Sequence, residues 1–331
     1  MERFALAAAV VLGFALTAAL CSLFVPLRRV LERREQNQQP AQSEQPRPAP
    51  LRAPLWGGLC AAAGTVAAVG VGWLAACVGQ PELLGSEGRL MTRLLTALAG
   101  SLAFGAVGLA EDLARMRSPA ALGLRRDVRL LLEALAAAFV LLLLQAAGCL
   151  PRGLDVPGAG YVLLGSAVPF LWAVLMVALA ECARIAERDE GTVCGAAFVA
   201  MLALMMAEAG LGVPGLAVLP AALAGALVAL GLWAFPPARL GVGCCGSLLA
   251  AGAIGCIPLS LDMTSLTVPL ALPFWAAGGL LAAQLLGAKR TGKPLRCWVK
   301  KHKMSPETVF LCSFALSAVG YVLALALLRW C

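Results

Sequence analysis

The stretch FPPARLGVGCCGSLLAAG, Phe235 to Gly252, sets two apolar runs on either side of a glycine-rich turn. The turn carries one arginine, Arg239, and a cysteine pair, Cys244 and Cys245. Such a turn belongs either to a loop between buried helices or to the polar end of a membrane crossing. Composition decides between them. Hydrophobic residues make up 61% of the 331-residue chain and charged residues only 13%, against about 25% charged in an ordinary soluble domain. Outward from this stretch, apolar runs recur at about 4–27, 55–79, 90–110, 130–150, 160–180, 192–211, 214–235, 246–262, 266–287 and 308–329. Most of these runs have about the 20 residues that cross a hydrocarbon core of about 30 Å. The sequence therefore predicts an all-α integral membrane protein with about ten transmembrane helices, one polytopic domain over residues 1–331. The first run lacks a small-residue cleavage site before its basic flank and reads as a retained span.

The basic residues set the expected orientation. Of the 26 lysines and arginines, 21 fall in the alternate loops at about 28–54, 111–129, 181–191, 236–245 and 288–307. By the positive-inside rule these five loops are cytoplasmic and both termini are extracytoplasmic. The net charge of +8 then faces anionic lipid headgroups, and no nucleic-acid partner is implied. Residues 36–54, polar and proline-rich, read as part of a flexible cytoplasmic connection spanning about 28–54. The twelve cysteines include no CxxC pair and no Cys/His cluster, so they read as small apolar side chains within spans.

Acidic residues in or beside membrane spans are costly and mark candidate sites. Three loops hold them beside basic residues. VGLAEDLARMRSPAALGLRRDVRLLLE (Val107–Glu133) places Glu111 and Asp112 at the end of one span, Arg115 a turn later and Arg129 at the start of the next. ALAECARIAERDEGTVCG (Ala178–Gly195) carries Glu181, Arg184, Glu187, Asp189 and Glu190. AKRTGKPLRCWVKKHKMSPET (Ala288–Thr308) is basic, with Lys300, Lys301, Lys303 and the only histidine, His302. Carboxylates gathered with Lys and Arg at one membrane face suit Mg²⁺ and a diphosphate, because Mg²⁺ takes hard oxygen ligands and cations absorb the remaining phosphate charge. The plainer alternative is that these charges are solvated and only set topology.

The order of these stretches resembles the polyprenyl-phosphate phospho-N-acetylhexosamine transferase superfamily, most closely its phospho-MurNAc-pentapeptide transferase (MraY) branch. RPAPLRAPLWGG (Arg47–Gly58) is similar to the family's TPTMGG. VGLAEDLARMR…LGLRRDVRLLLE is similar to GFIDDYxK…GLSxxQKxxxQ, and FPPARLGVGCCGSLLAAGAIG to NPAxxFMGDxGSLxxGxxxG. AKRTGKP followed by SPETVFLCSFALSAVG resembles the tail around the family's HHH motif. The resemblance implies ten spans, a site built from cytoplasmic loops, and a bacterial inner-membrane location. It implies Mg²⁺-dependent transfer of a phospho-N-acetylhexosamine from a UDP-sugar to undecaprenyl phosphate, and a homodimer. Carried over, Glu111, Asp112 and His302 take catalytic positions. Arg115, Arg129, Arg184, Glu187, Glu190, Lys300, Lys301 and Ser247 take substrate-side positions, and Asp112 and Cys244 take metal positions.

The departures concentrate at those positions. The metal-binding Asp of MGDxGS falls on Cys244, the Asn of NLTDGLDGLAAG on Arg184, and its two Asp on Glu187 and Glu190; of HHH only His302 remains. A thiolate suits Zn²⁺ or Cu(I) far better than Mg²⁺, and Cys244, Cys245 and His302 are too few for a rebuilt zinc site. Two readings follow. In one, the glutamates have rebuilt an active transferase site. In the other, the chain is a non-catalytic paralogue, a membrane scaffold or regulator of envelope synthesis, with Arg184 paired to Glu187 where the metal charge would lie. A transporter, a third class, needs a charged site near the bilayer midplane, and the sequence offers only Glu208 near the edge of its span.

Overall fold

The computed structural model describes residues 2–38, 56–79, 89–117, 123–151, 153–156, 160–163, 165, 167–187, 191–212, 215–235, 239–286 and 306–328. The helices are α1 (Glu2–Gln38), α2 (Gly57–Gly79), α3 (Arg89–Arg117), α4 (Arg126–Ala146), α5 (Ala167–Ala186), α6 (Thr192–Gly210), α7 (Val218–Ala234), α8 (Gly243–Ser260), the single turn α9 (Thr267–Leu270), α10 (Leu272–Leu286) and α11 (Pro306–Leu328). Each predicted apolar run contains a helix. Seven of them (α1, α2, α3, α5, α6, α8 and α11) are long and apolar enough to cross a membrane, and α7 is a shorter apolar helix. The chain is an all-α membrane protein.

Three local readings change. Residues 28–38, placed in the flexible connection, continue α1 as helix, and 39–54 lie outside the described residues. The span expected from residue 160 starts later, at Ala167. Before it, Gly153–Val156 (β1) and Gly160–Leu163 (β2) form an antiparallel hairpin that pairs Gly153 with Leu163 and Val156 with Gly160. The span expected at 266–287 is broken at Ala271 into α9 and α10. Pro273 explains the break: its ring leaves no N–H for the carbonyl of Pro269 and crowds it, so the helix restarts.

In lipid, helices gain little from the hydrophobic effect against one another, and close packing of small residues holds them together. The sequence supplies such residues along two seams. On α3 and α8, Gly100 faces Cys256, Gly252 faces Ser101 and Phe104, and Gly108 faces Cys244. A Cβ on Gly108 would lie 2.2 Å from the Cys244 carbonyl oxygen, so only glycine lets the two backbones meet there. On α1 and α2, Ala9 meets Gly72 and Thr17 meets Gly64. Helix α1 also packs along α7. Every residue of α8, from Gly243 to Ser260, is buried, with α2, α3, α5 and α6 against it. The antiparallel order of these helices brings the C-terminal ends of α3 and α5 and the N-terminal ends of α4, α6 and α8 to one end of the bundle.

Candidate active site

The meeting of α3 with α8 places the central carboxylate. Asp112 lies one turn beyond Gly108, and the glycine contact brings its side chain beneath the N-terminus of α8. There its Oδ1 accepts the Cys244 N–H at 3.0 Å and its Oδ2 accepts the Cys245 N–H at 2.9 Å. Gly243, at φ +71°, turns the chain into this first turn. The first amides of a helix have no intrahelical partner and carry the positive end of its dipole, so a buried anion is favoured there. Asp112, 1% exposed, supplies that anion from within the chain. Ser247, 0% exposed, donates its hydroxyl to the Cys244 carbonyl at 3.1 Å and ties the same turn.

The remaining charges form one network across α3, α4 and α5. Arg115 donates from Nη2 to Glu111 Oε1 at 2.6 Å, and its Nη1 lies 3.8 Å from Asp112 Oδ1. Arg129 donates from Nε to Glu181 Oε1 at 2.7 Å and reaches Glu111 Oε1 at 3.7 Å and Glu133 Oε1 at 3.9 Å. Arg184 donates to the other oxygen of Glu181. One glutamate thus binds two guanidiniums, one through each oxygen. Arg129, with side-chain exposure of only 8%, is shared by three carboxylates. Three carboxylate oxygens in this buried set, Glu111 Oε2 and both of Glu133, have no hydrogen-bond partner.

The structure therefore gathers Glu111, Asp112, Arg115, Arg129, Arg184, Cys244 and Ser247 at one end of the bundle. Glu187 directly follows α5, its amide donating to the Ala183 carbonyl at 2.9 Å. Glu190, Lys300, Lys301 and His302 lie outside the described residues. Arg184 takes Glu181, three residues back on α5, as its partner. Sequence reasoning left Glu133 and Glu181 out of the site. The spacings Arg129–Glu133 (i, i+4) and Glu181–Arg184 (i, i+3) were the available signal, but spacing alone does not say which helix face is buried. Glu208, 1% exposed, sits in the last turn of α6, away from mid-helix.

Among the described residues the donor set does not fit Mg²⁺. Both oxygens of Asp112 are taken by backbone amides, Glu111 Oε1 by Arg115, and both oxygens of Glu181 by arginines. Cys244 offers a buried sulfur where a hard oxygen is needed. Among the described residues no group of three His, Cys, Asp or Glu side chains is placed to hold a metal ion.

The glycosyl transferase family 4 model matches residues 94–262, which run from α3 through α8, and the chain belongs to that family. It is similar to the phospho-N-acetylmuramoyl-pentapeptide-transferase of Mycobacterium tuberculosis (strain ATCC 25618 / H37Rv), at 27% identity over 265 residues covering 72% of each chain. It is also similar to the proteins of that name from Synechococcus sp. (strain RCC307) and Desulforudis audaxviator (strain MP104C). The first is 30% identical over 212 residues, 63% of this chain and 55% of the relative. The second is 31% identical over 170 residues, 48% and 50% of the two.

Proposed function

We propose that this chain serves cell-wall synthesis as a non-catalytic member of its family: a multi-pass protein of a bacterial inner membrane that keeps the transferase frame as a scaffold or regulator. One observation carries the reading: the aspartate best placed for chemistry, Asp112, has both oxygens bound to the amides of Cys244 and Cys245. The arginine network supports it, since Arg115, Arg129 and Arg184, the described cations that would meet a diphosphate, are already paired with Glu111 and Glu181. Losing a direct metal ligand removes several kcal/mol of transition-state stabilisation, and each ~1.4 kcal/mol is tenfold in rate.

The unpartnered oxygens of Glu111 and Glu133 favour a second reading, an active transferase acting on a UDP-sugar and undecaprenyl phosphate. In it Glu111, Asp112 and His302 would act catalytically, and Asp112, freed from the α8 amides, would help to hold Mg²⁺, which would neutralise diphosphate charge. The two readings separate in an exchange assay. Labelled UMP is incubated with UDP-MurNAc-pentapeptide and purified protein in undecaprenyl-phosphate micelles, with and without Mg²⁺, beside the mycobacterial relative as positive control. The scaffold reading expects no exchange above a protein-free blank while the relative exchanges. Mg²⁺-dependent exchange by this chain overturns it and establishes the transferase.

A further inference from the structure

The first two helices hold a feature that the charged site does not use. Their seam is antiparallel and made of small residues. A Cβ on Gly72 would lie 3.0 Å from the Ala9 Cβ, and one on Gly64 would lie 2.2 Å from Thr17 Oγ1 and 3.1 Å from the Thr17 amide nitrogen. These contacts are eight residues apart on each helix, so the register is fixed along the seam. One more turn towards the α1–α2 connection sets Cys21 opposite Cys60. They are 0% and 1% exposed, belong to one buried cluster with Cys194, and are free thiols.

A disulfide needs Cα atoms about 4.4–6.8 Å apart with the side chains facing. Ordinary helix pairs sit about 8–10 Å apart between axes, and a seam of Ala, Gly and Thr brings the backbones as close as helices allow. We propose that Cys21 and Cys60 are a redox-active dithiol that closes to a disulfide and fixes α1 to α2. Two S–H bonds break and one S–S bond forms. The two electrons and two protons pass to an acceptor of the quinone class, which shares the apolar phase with both helices. The consequence reaches the candidate site through Gly58, two residues before Cys60. A Cβ on Gly58 would lie 2.1 Å from the Gly246 amide nitrogen, so fixing α2 also fixes the first turn of α8. The proposal stands on α1 and α2 and does not depend on the functional reading.

The test uses full-length protein in membrane vesicles treated with diamide, a permeant diazene that takes up two electrons and two protons. The protein is then denatured, its free thiols are blocked with a maleimide, and its fragments are mapped by mass spectrometry. The expected result is loss of two of the twelve thiols, with fragments holding Cys21 and Cys60 joined and released again by dithiothreitol. Cys194→Ala should leave the link intact. Both thiols still maleimide-reactive after oxidation, or a link joining Cys60 to Cys245 or Cys21 to Cys194, overturns the proposal.

Discussion

The substitution Asp112→Asn probes the hinge of the site with little change in shape. An asparagine keeps one acceptor oxygen for the amides of Cys244 and Cys245, which now bind one oxygen each. One buried N–H is left without a partner, at about 1–3 kcal/mol, and the surviving bond loses the charge that roughly doubles its strength. The interaction of a full negative charge with the helix end, up to about 2 kcal/mol when partly buried, is also lost. Together these come to about 3 kcal/mol against the closed first turn of α8, or roughly a 100-fold rise in its open population. The turn carries its own reporters, because Cys244 and Cys245 are 0% and 2% exposed. Maleimide labelling of the two thiols in detergent micelles, followed by peptide mapping, should therefore accelerate by about two orders of magnitude. Cys256, buried farther along the same helix, should keep its rate. A change of less than about threefold at Cys244 and Cys245 would mean that the carboxylate does not hold this turn. It would also refute the reason for treating Asp112 as unavailable to a metal.

Further substitutions test the network and the seams. Arg129→Ala leaves Glu133 and one oxygen of Glu181 without their cation and Glu111 with Arg115 alone. Breaking such a buried set costs about 3–5 kcal/mol, so thermal unfolding in detergent should move down by roughly 10 °C. Glu133→Gln removes a charge that is 0% exposed with neither oxygen hydrogen-bonded; it should raise the same midpoint, and a fall would show that the ion pair with Arg129 at 3.9 Å outweighs the cost of burying the charge. Gly108→Ala drives a methyl group into the Cys244 carbonyl and should sharply reduce folded protein in the membrane, whereas Gly70→Ala, with nothing within 4 Å, should not; equal yields would refute the close approach. Cys244→Asp puts a second buried carboxylate beside Asp112 and should give no Mg²⁺-dependent UMP exchange by itself. Exchange in that variant would show the site to be one ligand short of working.

The sequence made the membrane helices legible because hydrocarbon thickness dictates run length, and small residues within the runs do not disturb that count. It hid the β1–β2 hairpin because Gly160–Leu163 reads straight into the apolar run of α5. Four residues of strand are too few to show an alternating period beside twenty residues of span. The chemistry-bearing positions Glu111, Asp112, Arg129 and Arg184 were visible as costly charges at span ends. Their partners were not, because pairing depends on which face each helix buries. Glu181 and Glu133 became part of the site only once α4 was placed against α3 and α5 against α4. The Cys21–Cys60 contact was hidden for the same reason: the residues are far apart in sequence, and only the α1–α2 register aligns them.

The complete burial of α8 bears on how the protein is made. A helix that touches no lipid at its destination cannot be held there by partitioning. Its place is a slot whose walls, α2, α3, α5 and α6, leave the ribosome before it does. Those walls must stay apart long enough to admit it, and Asp112 can find its two amides only after it arrives. A chain stopped just short of Gly243 would leave that carboxylate and an unfilled slot inside the bilayer, the kind of defect by which a membrane protease recognises an unfinished substrate.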